Sequence, residues 1–567
     1  MPPAQIELVD QDTIGIRFAF DPNLVSQVRA LNSRRWNPKE KRWEVHIAHL
    51  AEVMRIFFLH PNDAPPEVLE IYRDRWLRKQ LRVIIGNTFS RLNGAEIPID
   101  LLDRALSFEV QGHEYSLKYI EGAWDGRKHL FNRRDLSFPT GLLGTVRSIL
   151  SQYSKSSEIL MEEERSASQA AYSWRMRDVE LRNYQKEAVR EAVKEKRGIL
   201  EMATGSGKTV VAAKIISRLK RQTLFFVHTK DLLYQAKRMF AEFLGEEIGQ
   251  AGDGIIDLRP ITVATIQTAI RAFGGQYGKS LDEDVVEDDA TELGPHKTEL
   301  AEFIKATNVI FFDECHHVPA DTCYALAMRT EAADHRYGLS ATPYRSDNQD
   351  MLLEAALGRK LFRANSSRLI DMNYLVAPHI RFIRVPGSIS RRDHSDYRDV
   401  YVRYVVNNLA RNQIIAKEAQ AIAGQGRSVL VLVREVQHGV ALKLLIPKCE
   451  FIQGADPAKR RAKVLQDLEK KKLKILIATT LADEGLDIPT LDAVILAGGG
   501  SSETKMLQRI GRALRPAPGK EHAEIIDFFD QAPYLIDHSR KRLKLYKTEP
   551  RFEVDDGGTA DLQHAEK

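Results

Sequence analysis

The chain has 567 residues, 43% of them hydrophobic and 28% charged, with a formal net charge of +5. That length leaves room for about three to five separately cored domains, and no apolar run approaches the roughly 18 residues that span a bilayer. Three cysteines argue against a disulfide framework and for a reducing compartment. Glu7 and Asp10 stand where a leader would be basic and then apolar. A cytoplasmic protein is therefore expected, nucleoid-associated in a prokaryote, with no membrane partner.

In chain order, residues 1–62 read as a first small α+β module, with a strand over Ile14 to Phe18 and a helix from Asn23 to Leu31. Trp36 and Trp43 enclose Pro38, Lys39, Lys41 and Arg42. Such tryptophans stack on exposed bases while the cations take phosphates, or they form the core of a very small domain; both readings stand. Asn62 to Pro66 reads as a linker. Residues 70–165 form a second module, with a strand expected over Tyr115 to Ile120 and a turn at Trp124-Asp125-Gly126 that presents Arg127 and Lys128. A hairpin turn with a half-buried Trp124 is the alternative. Residues 152–170, rich in Ser, Glu and Ala, read as a polar helix leading into the nucleotide-binding region. A chain starting near Ser173 keeps every motif of that region.

Residues 175–375 carry the chemistry. Ala203-Thr204-Gly205-Ser206-Gly207-Lys208-Thr209 lies between an apolar run, Gly198 to Leu200, and a helical pattern, Val210 to Leu219. Strand, glycine turn and helix N-terminus together make a phosphate loop: amides face one anion and the helix end adds partial positive charge. Lys208 then reaches the β- and γ-phosphates of ATP, and the Thr209 hydroxyl ligates Mg²⁺. The strand Val309 to Phe312 ends in Asp313, placed to hold Mg²⁺ through water, and Glu314, placed to deprotonate the attacking water. Apolar runs at Thr223 to Val227, Ile261 to Ala264 and Tyr337 to Ser340 complete a parallel sheet covered on both faces. Phe273 to Glu299 reads as an exposed insertion. Cys315, His316, His317 and Cys323 match no common zinc spacing, so zinc is not expected.

Residues 376–545 repeat the strand–helix rhythm, with strands at Ser428 to Val433, Ile475 to Ala478, Ala493 to Leu496 and Ala523 to Asp527, but without a phosphate loop. Arg512 and Arg515, three apart, share one helix face and suit the role of arginine fingers from across a cleft. Residues 546–567 read as a disordered tail.

Taken together with Leu181-Arg182-Asn183-Tyr184-Gln185, Val227-His228-Thr229-Lys230, Thr262 to Thr268, Ser340-Ala341-Thr342-Pro343, Ala478 to Pro489 and Gln508 to Arg515, this pattern resembles superfamily 2 helicases over about residues 175–545. The fold class implied is α/β, with two RecA-like parallel-sheet motor domains preceded by two small α+β modules. The resemblance implies that Arg182 and Gln185 read the adenine base. It implies that Thr229, Lys230, Thr265, Gln267 and Thr479 touch the nucleic-acid backbone, and that Ser340 and Thr342 couple the domains. It places Gly485 and Asp487 beside ATP, and Gln508 with the two arginines. The Trp36 to Trp43 pattern is similar to the HARP-type module of annealing helicases. Residues 70–165 resemble the N-terminal domain of phage UvsW and the damage-recognition domain of XPB helicases, with Arg127 and Lys128 facing the duplex. The expected function is an ATP-dependent DNA helicase or duplex translocase acting on branched or damaged DNA in repair or recombination, moving 3′ to 5′. An RNA helicase, or a non-unwinding clamp switched by ATP, is the alternative; protein partners are unspecified.

Overall fold

The computed structural model describes residues 4–557 except 32, 61–62, 73–80, 95–96, 111, 154–158, 166–169, 178, 275–293, 295, 316–319, 342–349, 387–395, 480–489, 501–509 and 512. Two compact units comprise Met1–Arg165 and Ser166–Lys567.

The first unit opens with an antiparallel sheet in the order Gln5–Leu8, Thr13–Arg17, Arg42–His46, Arg34–Asn37. Helix Pro22–Ala30 starts where Asp21 accepts the amides of Asn23 and Leu24, with proline at the first helical position. It packs Val28 onto Ile14, Ile16 and Val45. Ala64, Val68 and Tyr72 close the same core, so the stretch expected to be a linker is drawn into the module by its own apolar residues. Trp43 leans on this core while Trp36, opposite it in the ladder, stays 46% exposed with its ring centroid 5.4 Å away. One tryptophan is therefore structural and the other is presented to solvent.

A second sheet follows in the order Leu160–Glu163, Arg82–Ile85, Phe89–Asn93, Ser137–Pro139. Its first pair is parallel and corrects the polar helix expected over 152–170: helix Leu143–Tyr153 ends there, and the next described residues pair as an edge strand. Ladder pairing outweighs the helix propensity of the Glu-rich stretch. Tyr115 to Ile120 is also not a strand. Ser107–Glu109 pairs with Arg127–His129 instead, and the intervening chain makes a 3₁₀ turn at His113–Tyr115 and a helical turn at Leu117–Ile120. Its alternating apolar residues have no sheet to face, and Tyr115 and Leu117 are exposed.

In the second unit the segment before the phosphate-loop domain is already part of it. Tyr172 stacks on buried Trp174 at 4.4 Å, the Ala171 amide donates to the Lys220 carbonyl, and the Arg177 amide donates to the Phe243 carbonyl. A start at Ser173 therefore removes packing, and an intact motor begins before Ala171. The first large sheet runs Ile255–Asp257, Gly249–Gly252, Ile261–Thr265, Thr223–Val227, Val309–Asp313, His335–Ser340, Arg197–Met202, Lys360–Ala364, parallel except for its first pair. Strand periodicity divides its two cores. Phe225 and Phe311 face one helix layer, while Leu224, Phe226, Ile310 and Phe312 face the other. The residues match the expected strands, and their burial on both faces is what a parallel sheet requires.

The second large sheet is wholly parallel, in the order Cys449–Ile452, Ile475–Thr479, Val429–Val433, Ala493–Ile495, His522–Phe529, Ala377–Arg384, Glu553–Asp555. Its last strand lies in the stretch expected as a disordered tail. Glu549 accepts hydrogen bonds from the Asn365 side chain (3.2 Å) and the Ser367 amide (3.1 Å), which hold the chain as far as that strand. Residues 558–567 lie outside the described residues. Buried Asp527 takes Arg542 Nε at 2.9 Å and the Tyr546 hydroxyl at 2.6 Å. Arg542→Ala strands that carboxylate in the core, and the expected loss is about 3–5 kcal/mol, read from the chemical-denaturation midpoint. Among the described residues no helix is long and apolar enough to cross a membrane.

Candidate active site

The strands Val309–Asp313, His335–Ser340 and Arg197–Met202 are neighbours. Their carboxyl ends therefore bring Asp313, Ser340 and the loop starting at Ala203 side by side, at the edge where ligands of such sheets bind. The loop turns on Gly205 (φ +79°) and Gly207 (φ +84°), a region closed to side chains without strain, and delivers Lys208 as the first residue of helix Lys208–Leu219. Thr204 Oγ1 and Ser206 Oγ are buried and have no hydrogen-bond partner among the described residues. Two orphaned hydroxyls in a loop of helix-terminal amides fit an oxyanion, since buried polar groups are otherwise satisfied.

Lys208 Nζ contacts the Glu314 carboxylate, and both side chains are mostly buried. Glu314 has φ +44°, and its amide donates to Asp313 Oδ1 at 3.1 Å. Burial, and next the adjacent Glu314 carboxylate, push the Asp313 carboxyl up to about 7, while Lys208 pulls it down. A carboxyl destabilised in this way is a site that a divalent cation relieves. Asp313 is thus a residue that suits a divalent cation; Thr209 is the second residue of helix Lys208–Leu219. His316, His317 and Thr342 lie outside the described residues.

Gln185 locks the loop from behind. Its Nε2 donates to the Ser206 carbonyl (2.8 Å) and its Oε1 accepts the Arg182 amide (2.9 Å). A side chain at position 207 would stand 2.5 Å from that Nε2. Two residues missed in the sequence share this corner. Tyr184 donates its hydroxyl to the Ser206 carbonyl (2.6 Å), and Tyr374, from the connector between the large sheets, has the Arg182 guanidinium 4.4 Å over its ring. Tyr184 lies inside a segment already singled out; Tyr374 stands alone in the sequence and carries no local signal.

The region of the second large sheet packs directly against this loop. Gly511 packs so closely that a Cβ there would stand 2.6 Å from Thr204 Cβ. Arg515 Nε lies 3.2 Å from where a Cβ on Gly205 would be, and burial lowers the guanidinium pKa. Arg515 thus faces the phosphate loop. Arg512, Gln508, Gly485 and Asp487 lie outside the described residues.

Along the same edge Thr229 caps helix Lys230–Leu244 by accepting the Leu232 amide. Thr265 caps Ile266–Ala272 and donates to Thr268 Oγ1 at 2.9 Å. Gln267 donates to the His228 carbonyl, and Lys230 pairs with Asp253 at 2.8 Å. Thr479 ends its strand with a buried hydroxyl that has no hydrogen-bond partner among the described residues. Asp231 and Arg461, from the regions of the two large sheets, pair at 3.5 Å.

In the first unit Trp124-Asp125-Gly126 does make a turn: the Asp125 carboxylate accepts the Arg127 amide, and Gly126 has φ +78°. Trp124 is half-buried and donates to the Arg127 carbonyl at 2.7 Å. The Arg127 guanidinium bonds Ser107 Oγ, the Ser107 carbonyl and Glu109, so it braces the turn. Lys128 is the neighbouring cation on this strand, and it too makes an interaction within the protein.

Comparison with known proteins agrees with this geometry. Residues 178–345 match the family of the res subunit of type III restriction enzymes, and residues 411–517 match the helicase conserved C-terminal domain. The two matches fall on the regions of the two large sheets, in chain order. The chain thus carries the paired domains of a helicase motor and is similar to superfamily 2 helicases of the UvsW/XPB type. The DNA 3′-5′ translocase XPB2 of Sulfurisphaera tokodaii is 29% identical over 377 residues, 59% of this chain and 79% of its own length. The ATP-dependent DNA helicase uvsW of Enterobacteria phage T4 is 23% identical over 482 residues, 78% of this chain and 92% of its own. The crystal structure of T4 UvsW aligns with 84% of this chain and 98% of its own at 20% identity, with a TM-score of 0.40. As an enzyme of this superfamily the helicase is an ATPase that uses nucleoside triphosphate.

Proposed function

We propose that this helicase is an ATP-driven DNA helicase and duplex translocase, working 3′ to 5′ on forked or branched DNA in repair or recombination inside the cell. The observation that supports it best is the facing pair of elements, Lys208 with Glu314 on one sheet and Arg515 over Gly205 from the other. Lys208 and the amides of Thr204 to Gly207 hold the phosphates, with Arg182, Gln185 and Ala203 framing the base side. Thr209 and Asp313 would hold Mg²⁺, which would supply charge neutralisation at the phosphates. Glu314 removes the proton of the attacking water, and Arg515, with Arg512 and Gln508, stabilises charge on the transferred phosphoryl group. Closure draws Ser340, Thr342, Gly485 and Asp487 together. It also changes the grip of Thr229, Lys230, Thr265, Gln267 and Thr479 on one strand, so hydrolysis advances the strand stepwise. These are backbone contacts and are independent of base sequence. The two motor domains within Ser166–Lys567 carry this cycle. The modules within Met1–Arg165 hold the junction, with Trp36 and Lys128 toward DNA, and Trp43, Trp124 and Arg127 supporting them.

An ATPase screen with single-stranded, duplex, forked and four-way DNA, and RNA of equal length, tests the reading. Strongest stimulation by forked or four-way DNA supports it, and stimulation by RNA alone contradicts it. A chain beginning at Ser166 should keep ATPase activity and lose fork affinity. It should also show a shallower salt dependence, because phosphate contacts set that slope and each stacked base adds about 1–3 kcal/mol. Titration of fork binding at several salt concentrations checks both.

A further inference from the structure

The turn that carries Arg515 is fixed at three points. Gly511 lies on Thr204, the Val376 amide donates to the Leu514 carbonyl at 2.8 Å, and Lys520 Nζ donates to the Ala513 carbonyl at 2.6 Å. Lys520 makes a second bond, to the Leu491 carbonyl at 2.5 Å. Leu491 is buried and precedes Asp492, whose carboxylate takes the Ser428 amide (2.8 Å), the Ser428 hydroxyl (3.0 Å) and Lys471 (3.2 Å). One ammonium therefore ties the end of the arginine turn to a rigid point at the start of the Ala493–Ile495 strand.

We infer that Lys520 is a positioning residue for hydrolysis, holding the turn of Ala513 so that Arg515 stands at the phosphate loop. The inference rests on the reading of Arg515 as a group that stabilises the transferred phosphate. Its physical basis is the cost of the arrangement. A half-buried ammonium loses hydration, and the carbonyls at the end of a helical turn gain most from a cation placed there. Among the described residues Lys520 Nζ bonds those two carbonyls alone, so its role is to set a backbone position. Burial pulls its pKa down to about 8, with Asp492 acting to raise it and Lys471 and Arg427 to lower it further. Above that pH the amine loses the charge that strengthens both bonds, and its hold on the turn weakens.

The test uses the full chain with saturating forked DNA and measures kcat and KM for ATP from about pH 6 to 9.5, spanning that pKa, beside melting temperature. Lys520→Met should lower kcat about tenfold to hundredfold, the scale of a displacement of about 1 Å at a reacting group, with KM for ATP and melting temperature unchanged. The wild-type kcat should fall above about pH 8, and Lys520→Arg, which stays charged, should lose that alkaline limb. Arg515→Ala is the control for the reading beneath it. A kcat lowered in Arg515→Ala but unchanged in Lys520→Met overturns the positioning role alone. An unchanged kcat in Arg515→Ala overturns the reading of Arg515, and the positioning role with it. If Lys520→Met does not fold, persistence of the alkaline limb in Lys520→Arg overturns the proposal.

Discussion

Glu314→Gln should keep ATP bound and cut turnover by about 10²–10⁴-fold, the usual contribution of a general base. The side chain follows the strand end at Asp313 and touches Lys208, so it lies where the phosphates of ATP and their attacking water meet. Its backbone is held at φ +44°, a conformation that non-glycine residues keep only where the surroundings enforce it. Here the Cys315 amide donates to the Leu339 carbonyl and the Glu314 amide to Asp313, which fix the turn from both sides. Glutamine preserves the shape and still accepts from Lys208 through its amide oxygen, while it removes the basicity and, with it, the negative charge of the ion pair. Lys208→Ala should behave differently, losing affinity for ATP as well, because the lysine faces the phosphates in ground and transition states alike. Equilibrium binding of a fluorescent ATP analogue, run beside single-turnover hydrolysis, separates the two. Wild-type turnover in Glu314→Gln would remove it as the base.

Arg515→Ala should lower kcat by about 10³-fold or more with little change in ATP affinity, as expected of an arginine whose contact matters mainly in the transition state. The guanidinium is substantially buried beside Gly205, with its pKa lowered by desolvation. Partial desolvation is what gives a charge its full effect on a developing phosphate charge. Lysine in its place should rescue only partly, since the planar fork that grips two oxygens is lost. Steady-state kinetics at saturating DNA check this, and a defect confined to KM would count against the finger role.

The strands around the phosphate loop were legible because a buried parallel sheet leaves apolar runs such as Thr223–Val227 and Val309–Asp313, and the loop itself has a fixed chemistry. Legibility failed where tertiary pairing decides. Leu160–Glu163 becomes a strand only because Arg82–Ile85 offers an edge, and Glu553–Asp555 only because Ala377–Arg384 does. It failed again where alternation had no sheet to face, at Tyr115 to Ile120. In the site, Lys208, Asp313 and Glu314 were read from local spacing. Tyr374 and Lys520 act through contacts remote in sequence, with Arg182 and Leu491, and no local pattern marks them. Arg127 illustrates the opposite failure: its motif was found, but its guanidinium turns inward onto Ser107 and Glu109.

The central claim is that hydrolysis at this site drives movement on DNA. Displacement of a third strand from a DNA triplex, measured together with strand separation on a fork, reads that movement directly in the full chain. The account predicts ATP-dependent displacement by the wild type that is absent in Glu314→Gln. DNA-stimulated ATP hydrolysis with neither displacement nor strand separation would contradict it.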